Sequence, residues 1–343
     1  MRHVDQLLDM EGQAVIDTVV DNNQDHIQAL QDKHGAVLGE VEFASDWEMV
    51  FDEEHRHIDA VISCMPDRYH IDIATAAIGK GKHLLGEKPL ATTLDEYAQL
   101  KHLFAKSEAE GLVFLPCNPR ETAGVWSEFR NFGRDKSLLA DHFGRIGNAA
   151  IGDVGDIKSL RTLIHYAAPR EGDRGHTSAA ADKLNHEITT LCRLTDVEGF
   201  ERAFLLDNQI NQYSASLMTT SGIWLTTQAL RVGTRHKNRD DNMYHESAEI
   251  VFDNGALSFD ASSGTMTLRY GERPIHDRDP SRYGKSARRS IGAMTRHFLA
   301  RIRGEEADRF GANADYLTRT ALLSTLASLM LEEADSQGIP IRV

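Results

Sequence analysis

Three residues stand out by type and placement as able to do acid–base chemistry: Lys88, Asp182 and His186. Lys88 lies in Glu87-Lys88-Pro89, directly after the short apolar run His83-Leu84-Leu85-Gly86 and before a capped helix opening near Thr93. This puts an amine at the carboxyl end of a predicted parallel strand, where open α/β sheets bind their ligands. A lysine held in such a crevice can move a proton or orient a hydroxyl. Outside a crevice the same tripeptide is an exposed Lys-Pro turn. Asp182 and His186 are four residues apart, so on a helix they share a face and can enter one cleft. Imidazole titrates near neutrality and suits proton acceptance from an alcohol, while a carboxylate can orient it or the substrate. Taken alone, the pair better fits a helix-initiating aspartate followed by a buried histidine.

Alternating strands and helices must position Lys88. Residues 14–20 (AVIDTVV) read as a buried strand ending at the polar turn Asp21-Asn22-Asn23, with a helix following to about Lys33 and Gly35. Asp59 to Cys64 is a second buried strand, broken by Met65-Pro66, and a helix over 71–77 leads to the strand before Lys88. Thr93-Leu94-Asp95-Glu96 is a capping box opening a helix whose buried side carries Leu100, Leu103 and Phe104. Residues 112–115 form a further strand. Near-continuous apolar strands alternating with helices predict a parallel sheet covered on both faces. After Pro119 the pattern changes. A helix over 179–194 carries Asp182 and His186, followed by a hairpin over 214–230 and another around Asp253-Asn254-Gly255. One more strand over 265–270 and two closing helices predict an α+β domain on an antiparallel sheet. The expected division is residues 1–118 and 119–343, with the closing helices packing back on the first unit.

Composition bounds the partners. The chain has 343 residues, and 38 Lys+Arg against 52 Asp+Glu give a net charge of −14, which argues against nucleic acid or an anionic membrane as partner. Cys64, Cys117 and Cys192 are odd in number and widely spaced, so neither a disulfide framework nor CxxC metal spacing is present. With no membrane-length apolar run and no signal peptide visible, a cytoplasmic location is expected.

A parallel sheet, Glu-Lys-Pro at a strand end and then an antiparallel sheet domain resemble the Gfo/Idh/MocA family of NAD(P)-dependent oxidoreductases. Ala60-Val-Ile-Ser-Cys-Met-Pro66 with His70 looks like the family's strand, proline and histidine element, and residues 81–90 (GKHLLGEKPL) look like its signature. Asp182-Lys-Leu-Asn-His186 fits its Asp-x-x-x-His motif. The resemblance implies hydride transfer between NAD(P) and a sugar, cyclitol or sugar-like alcohol or ketone. It implies Lys88, Asp182 and His186 as catalytic residues and Met65, Pro66, His70, Glu87 and Lys88 around the cofactor. Asn118 and Arg120 fall near the substrate, with His176 as a loop candidate. Asp21 stands where an acidic side chain bonds the adenosine ribose diol and repels a 2′-phosphate, favouring NAD over NADP; by itself it is also a turn-forming Asp-Asn. No metal is implied. A homo-oligomer, dimer or tetramer, is expected, because imperfect alternation along 223–230 suits a sheet with both faces at least partly buried; the alternative is a monomer whose own helices cover that sheet.

The chain departs from the family at its start. Residues 1–10 already read as the helix that follows the turn G-x-G-x-x-G, so the first strand and its glycine loop are missing, and Gly12 is too isolated to replace them. That strand is central in the order 3-2-1-4-5-6, so its loss predicts a gap between strand 14–20 and strand 59–64. Backbone groups left unpaired there would cost about 1–3 kcal/mol each. A start downstream of the real one is the expectation; the alternative is a variant whose strands slide together. Two other functions stay open: a non-catalytic binding or scaffold homologue that has lost the dinucleotide site, and NAD-assisted glycoside cleavage on the same fold.

Overall fold

The computed structural model describes residues 2–10, 12–118, 124–168, 179–195, 197–209, 212–234, 245–260, 263–272, 274–278, 286–305 and 314–337. A short helix, α1 (Arg2–Leu8), precedes β1 (Thr18–Val20) and α2 (Gln24–His34). Asn23 caps α2 by accepting the Asp25 N–H at 2.9 Å. Strands β2 (Glu42–Ala44), β3 (Ala60–Ser63), β4 (His83–Glu87) and β5 (Phe114–Cys117) alternate with α3 (His70–Gly79) and α4 (Leu94–Ala109). Thr93 caps α4 through the Glu96 N–H. Glu96 returns the bond one residue early, accepting the N–H and hydroxyl of Thr92 at 2.6 and 2.7 Å.

The strands form two parallel sheets rather than one: β1 pairs with β2, and β3 with β4 and β5. The expected gap lies between β1 and β3, and their edges have not closed on each other. β1 is three residues long instead of the expected run from Ala14, and Val15 is 93% exposed. A strand with one neighbour has half its backbone groups unpaired, so pairing spreads no further than β2 supports. Two buried hydroxyls without a partner, Thr18 Oγ1 and Ser63 Oγ, stand on these two strands. Side chains span the opening instead. His57 Nε2 bonds the Asp17 carboxylate at 2.8 and 3.0 Å, and His55 Nε2 lies 3.0 Å from Glu42 Oε2 on β2.

His83 adds a pH-sensitive joint between β4 and β5, since its Nδ1 accepts the Val113 N–H at 2.9 Å. Burial holds its pKa below the ordinary imidazole value. The unfolded chain therefore takes up the proton first, near pH 6.5, and binds more protons than the folded one below it. The contribution is complete above about pH 6.5 and is lost as pH falls through the folded value. His83→Leu is expected to cost about 1 kcal/mol at neutral pH. It should also flatten the fall of the melting midpoint between pH 7 and 5; parallel slopes for the two chains would exclude His83.

The second half begins with two helices that the sequence reading does not anticipate, α5 (Gly124–Arg134) and α6 (Lys136–Gly147). Their signal is present in Val125, Trp126, Phe129 and Phe132, which recur at helical spacing and are all buried. Strand β6 (Ile157–Ala168), helix α7 (Ala179–Thr195) and strands β7 (Phe200–Gln209), β8 (Gln212–Thr219) and β9 (Trp224–Thr234) follow. Next come β10 (His245–Phe252), β11 (Ala256–Asp260), β12 (Thr265–Arg269) and β13 (Pro274–Arg278), then α8 (Ser286–Ile302) and α9 (Ala314–Gln337). The strands build one eight-stranded sheet, order β13-β12-β11-β10-β6-β9-β8-β7, antiparallel except for β6 beside β9. Strands β7 and β13 extend the sheet beyond the expected hairpins. The chain is thus mixed α/β, with N-terminal parallel strands and a mostly antiparallel C-terminal sheet.

Burial along residues 223–230 alternates between the two faces of the sheet. Leu225, Thr227 and Ala229 are fully buried, Trp224, Thr226 and Leu230 only half-buried, and Gln228 is exposed. This is the period of a sheet packed on one side. Helices α5, α6, α7 and α9 supply the apolar partners on the buried side, and polar side chains such as Arg161, Gln228, Thr267 and His276 line a broad depression on the other. Helix α8 also contacts α1, β4 and β5, and α9 contacts α4, β5 and α7, so the closing helices touch the parallel strands. Among the described residues, no helix is long and apolar enough to cross a membrane.

Candidate functional site

The site grows from the carboxyl ends of β3, β4 and β5. Glu87 ends β4, and Lys88 follows it, joined to Pro89 by a cis peptide. The loop folds back because Gly86 has no side chain: a Cβ there would meet Leu90 Cδ2 at 3.2 Å. His70 holds the loop from the other side. It is buried, with Nδ1 2.6 Å from the Pro89 carbonyl and Nε2 2.8 Å from that of Met65. Its ring therefore ties the turn after β3, which contains Met65 and Pro66, to the turn after β4.

Lys88 lines a narrow cleft with Asn118, at the end of β5, and with Asn185 and Thr189 of α7 and Ser324 and Thr325 of α9. Asn118 is buried, and its Oδ1 lies 2.7 Å from His186 Nδ1. A carbonyl oxygen only accepts, so His186 Nδ1 carries the hydrogen and Nε2 is the basic nitrogen of the neutral ring. Helix α7 can present these groups because its other side is anchored: Leu184, Ile188 and Leu191 are fully buried in the sheet core. Asn185 and Thr189, four apart, form the adjoining polar stripe. Sequence reading missed both, although their spacing on the helix of Asp182 and His186 carries the signal. Ser324 and Thr325 had no signal, since only tertiary packing brings α9 to β5.

Asp182 lies in α7 by its backbone, and its side chain is outside the described residues, as are Arg120 and His176. Asp21 stands just beyond β1, some distance along the chain from the Lys88 cleft. Its Oδ1 accepts the Asn23 N–H at 2.9 Å and its Oδ2 is 3.0 Å from His26 Nδ1, which is the turn-forming role. The carboxylate remains one-third exposed. For a dinucleotide, the donors present fit the two ends: Asp21 at one, Met65, Pro66 and Glu87 at the other. Between residues 2 and 20 the one glycine is Gly12.

A cluster that sequence reading did not assemble lies beside Glu87. His3, from α1, has Nε2 3.8 Å from Glu87 Oε1 and 4.0 Å from the Cys117 sulfur. Burial pulls the His3 pKa down, but hydrogen bonds with the Cys117 and Cys64 thiols and the Glu87 carboxylate outweigh it and push it up to about 12. Burial likewise pushes the Cys117 thiol up to about 12, against the bond from His3.

Fold and strand-end cleft together are those of a mixed α/β chain with a polar site at the carboxyl ends of its parallel strands. Residues 1–113 match the family model described as an oxidoreductase family with NAD-binding Rossmann fold, GFO_IDH_MocA. Over that stretch the chain is similar to the Gfo/Idh/MocA family. No curated protein sequence matches it. Among solved structures, an oxidoreductase from Agrobacterium radiobacter in complex with NAD+, L-tartaric acid and magnesium superposes with a TM-score of 0.73 at 11% identity, covering 99% of this chain and 94% of that one. Biliverdin reductase from Synechocystis, with biliverdin and NADP+, gives 0.68 at 18% identity over 95% of this chain and 94% of its own. KijD10, a 3-ketoreductase from Actinomadura kijaniata with TDP-benzene and NADP, gives 0.63 at 16% identity over 92% and 87%. At these identities the likeness is one of fold.

Proposed function

We propose that the chain transfers a hydride between NAD, in preference to NADP, and a sugar, cyclitol or sugar-like alcohol or ketone. The observation that carries this reading is the Lys88 cleft: Lys88 and Asn118 share it with residues of α7, and Asn118 bonds the ring of His186 on that helix. In the oxidative direction the Lys88 ammonium holds the reacting hydroxyl and stabilises negative charge developing on its oxygen. His186 takes the hydroxyl proton on Nε2, the nitrogen that Asn118 leaves basic. Asp182 orients substrate hydroxyls or the imidazole, and substrate binding is the role proposed for Arg120 and His176. Residues 1–118 hold the cofactor, with Glu87, Met65 and Pro66 at the nicotinamide ribose and Asp21 at the adenosine ribose. Bound NAD supplies the hydride acceptor; the chain contributes orientation and electrostatics.

Formation of NADH from candidate polyols tests the reading directly. Asn118→Leu should retain the fold yet lower kcat by at least about tenfold, short of the about 10²–10⁴-fold that general-base catalysis supplies. An unchanged kcat would detach Asn118 from His186 in catalysis. The division of the parallel strands into two sheets favours a second reading, a non-catalytic homologue that binds a small molecule. Calorimetric titration with NAD separates them, since only the first requires a saturable heat. The open polar face of the eight-stranded sheet favours pairing of two copies, and sedimentation velocity on the purified chain decides it.

A further inference from the structure

We infer that His3, Glu87 and Cys117 form a binding site for a borderline-soft divalent cation such as Zn2+. Strand register builds the row. Ser63 pairs with Gly86 and Gly86 with Pro116, so the next residues, Cys64, Glu87 and Cys117, stand side by side across three parallel strands. Residues in register point to the same face of a sheet. Helix α1 then lowers His3 onto that row.

The nitrogen, oxygen and sulfur of His3, Glu87 and Cys117 all lie within 4.8 Å of one another. Tetrahedral zinc, with bonds of about 2.0–2.3 Å, holds its ligand atoms about 3.3–3.8 Å apart, so closure needs contraction of at most about 1.5 Å. The His3 ring is already oriented. Its Nδ1 stands 3.4 Å from Thr295 Oγ1, whose own hydrogen goes to the Ile291 carbonyl at 3.0 Å. Nδ1 therefore donates outward and Nε2 faces Glu87 and Cys117, the arrangement by which an outer hydrogen bond fixes a metal-binding imidazole. Cys64 and Cys117 are two strands apart, about 9–10 Å between backbones. That is too far for a disulfide, which needs less than about 7 Å between α-carbons. Imidazole, carboxylate and thiolate together select Zn2+ over Mg2+ or Ca2+, which prefer all-oxygen shells. Binding releases the protons that the cluster otherwise shares, so affinity rises with pH.

Titration of the metal-free full chain with Co2+ tests the site. One equivalent should produce thiolate-to-cobalt charge-transfer absorbance, abolished by added Zn2+ and weakened at least tenfold in affinity in both His3→Gln and Cys117→Ser, with folding checked by far-ultraviolet circular dichroism. Absence of that band in the unsubstituted chain, or its persistence unchanged in either variant, overturns the inference. Should a variant fail to fold, zinc-edge X-ray absorption of the unsubstituted chain decides: sulfur at about 2.3 Å supports the site, and a shell of only nitrogen and oxygen rejects it. Metal binding is read without substrate or NAD, so its failure leaves the hydride-transfer reading untouched.

Discussion

Replacement of Lys88 by alanine is expected to lower turnover by about 10²–10³-fold or more while leaving the melting midpoint nearly unchanged. The size follows from the task. A preorganised donor aimed at a developing oxyanion contributes in the transition state and much less in the ground state, so kcat falls more than substrate affinity. The small effect on folding follows from what holds the loop. Its turn is set by the buried Leu90, by the space beside Gly86 and by His70 on the Pro89 carbonyl, none of which involves the ammonium group. Lys88→Arg should not rescue, because a planar guanidinium cannot place one point charge where an ammonium stood. Steady-state kinetics with a polyol that turns over would decide; near-normal kcat in Lys88→Ala removes the residue from the mechanism.

Phe129→Ala is expected to cost about 3–5 kcal/mol of stability, a large part of the about 5–15 kcal/mol that holds a domain together. Phe129 is fully buried, and its ring meets Trp126 at 6.0 Å and Phe259 at 5.2 Å, both edge to face. Trp126 and Phe259 also meet edge to face at 4.7 Å, so three rings lock α5 onto β11 of the large sheet. Truncation leaves a ring-sized cavity that neighbours anchored in helix and strand cannot fill. The consequence reaches the site, because α5 packs against α7, which carries Asn185, His186 and Thr189. Denaturant unfolding measures the loss. A change below about 1 kcal/mol would mean that the core repacks and that α5 is not a rigid support.

Much of the first half was legible because its signals are local. The strand before Lys88, the cap at Thr93 and the break at Met65-Pro66 each depend on a few adjacent residues. Even the division of the parallel sheet followed from one missing element, since strand order dictates which neighbours lose a partner. Helices α5 and α6 were not anticipated, although their apolar spacing was visible, and β2, only three residues long, has too little pattern to show. Along β9 the alternation reads correctly only once Thr227 counts as an inward residue, a choice its hydroxyl conceals until Thr162 is seen to donate to it at 2.8 Å.

The residues by themselves determined the chemistry on offer: an amine at a strand end and an imidazole four residues beyond a carboxylate. Spacing within one helix or strand is a property of the chain, so these followed without coordinates. Which groups meet across distant segments was decided by tertiary structure alone. His3 reaches Cys117 and Glu87, and α9 closes the cleft of Lys88, through packing of apolar faces that carry no address for their partners. Burial is non-directional and roughly additive in area, so it fixes that such faces are covered but leaves to the whole fold which element covers them.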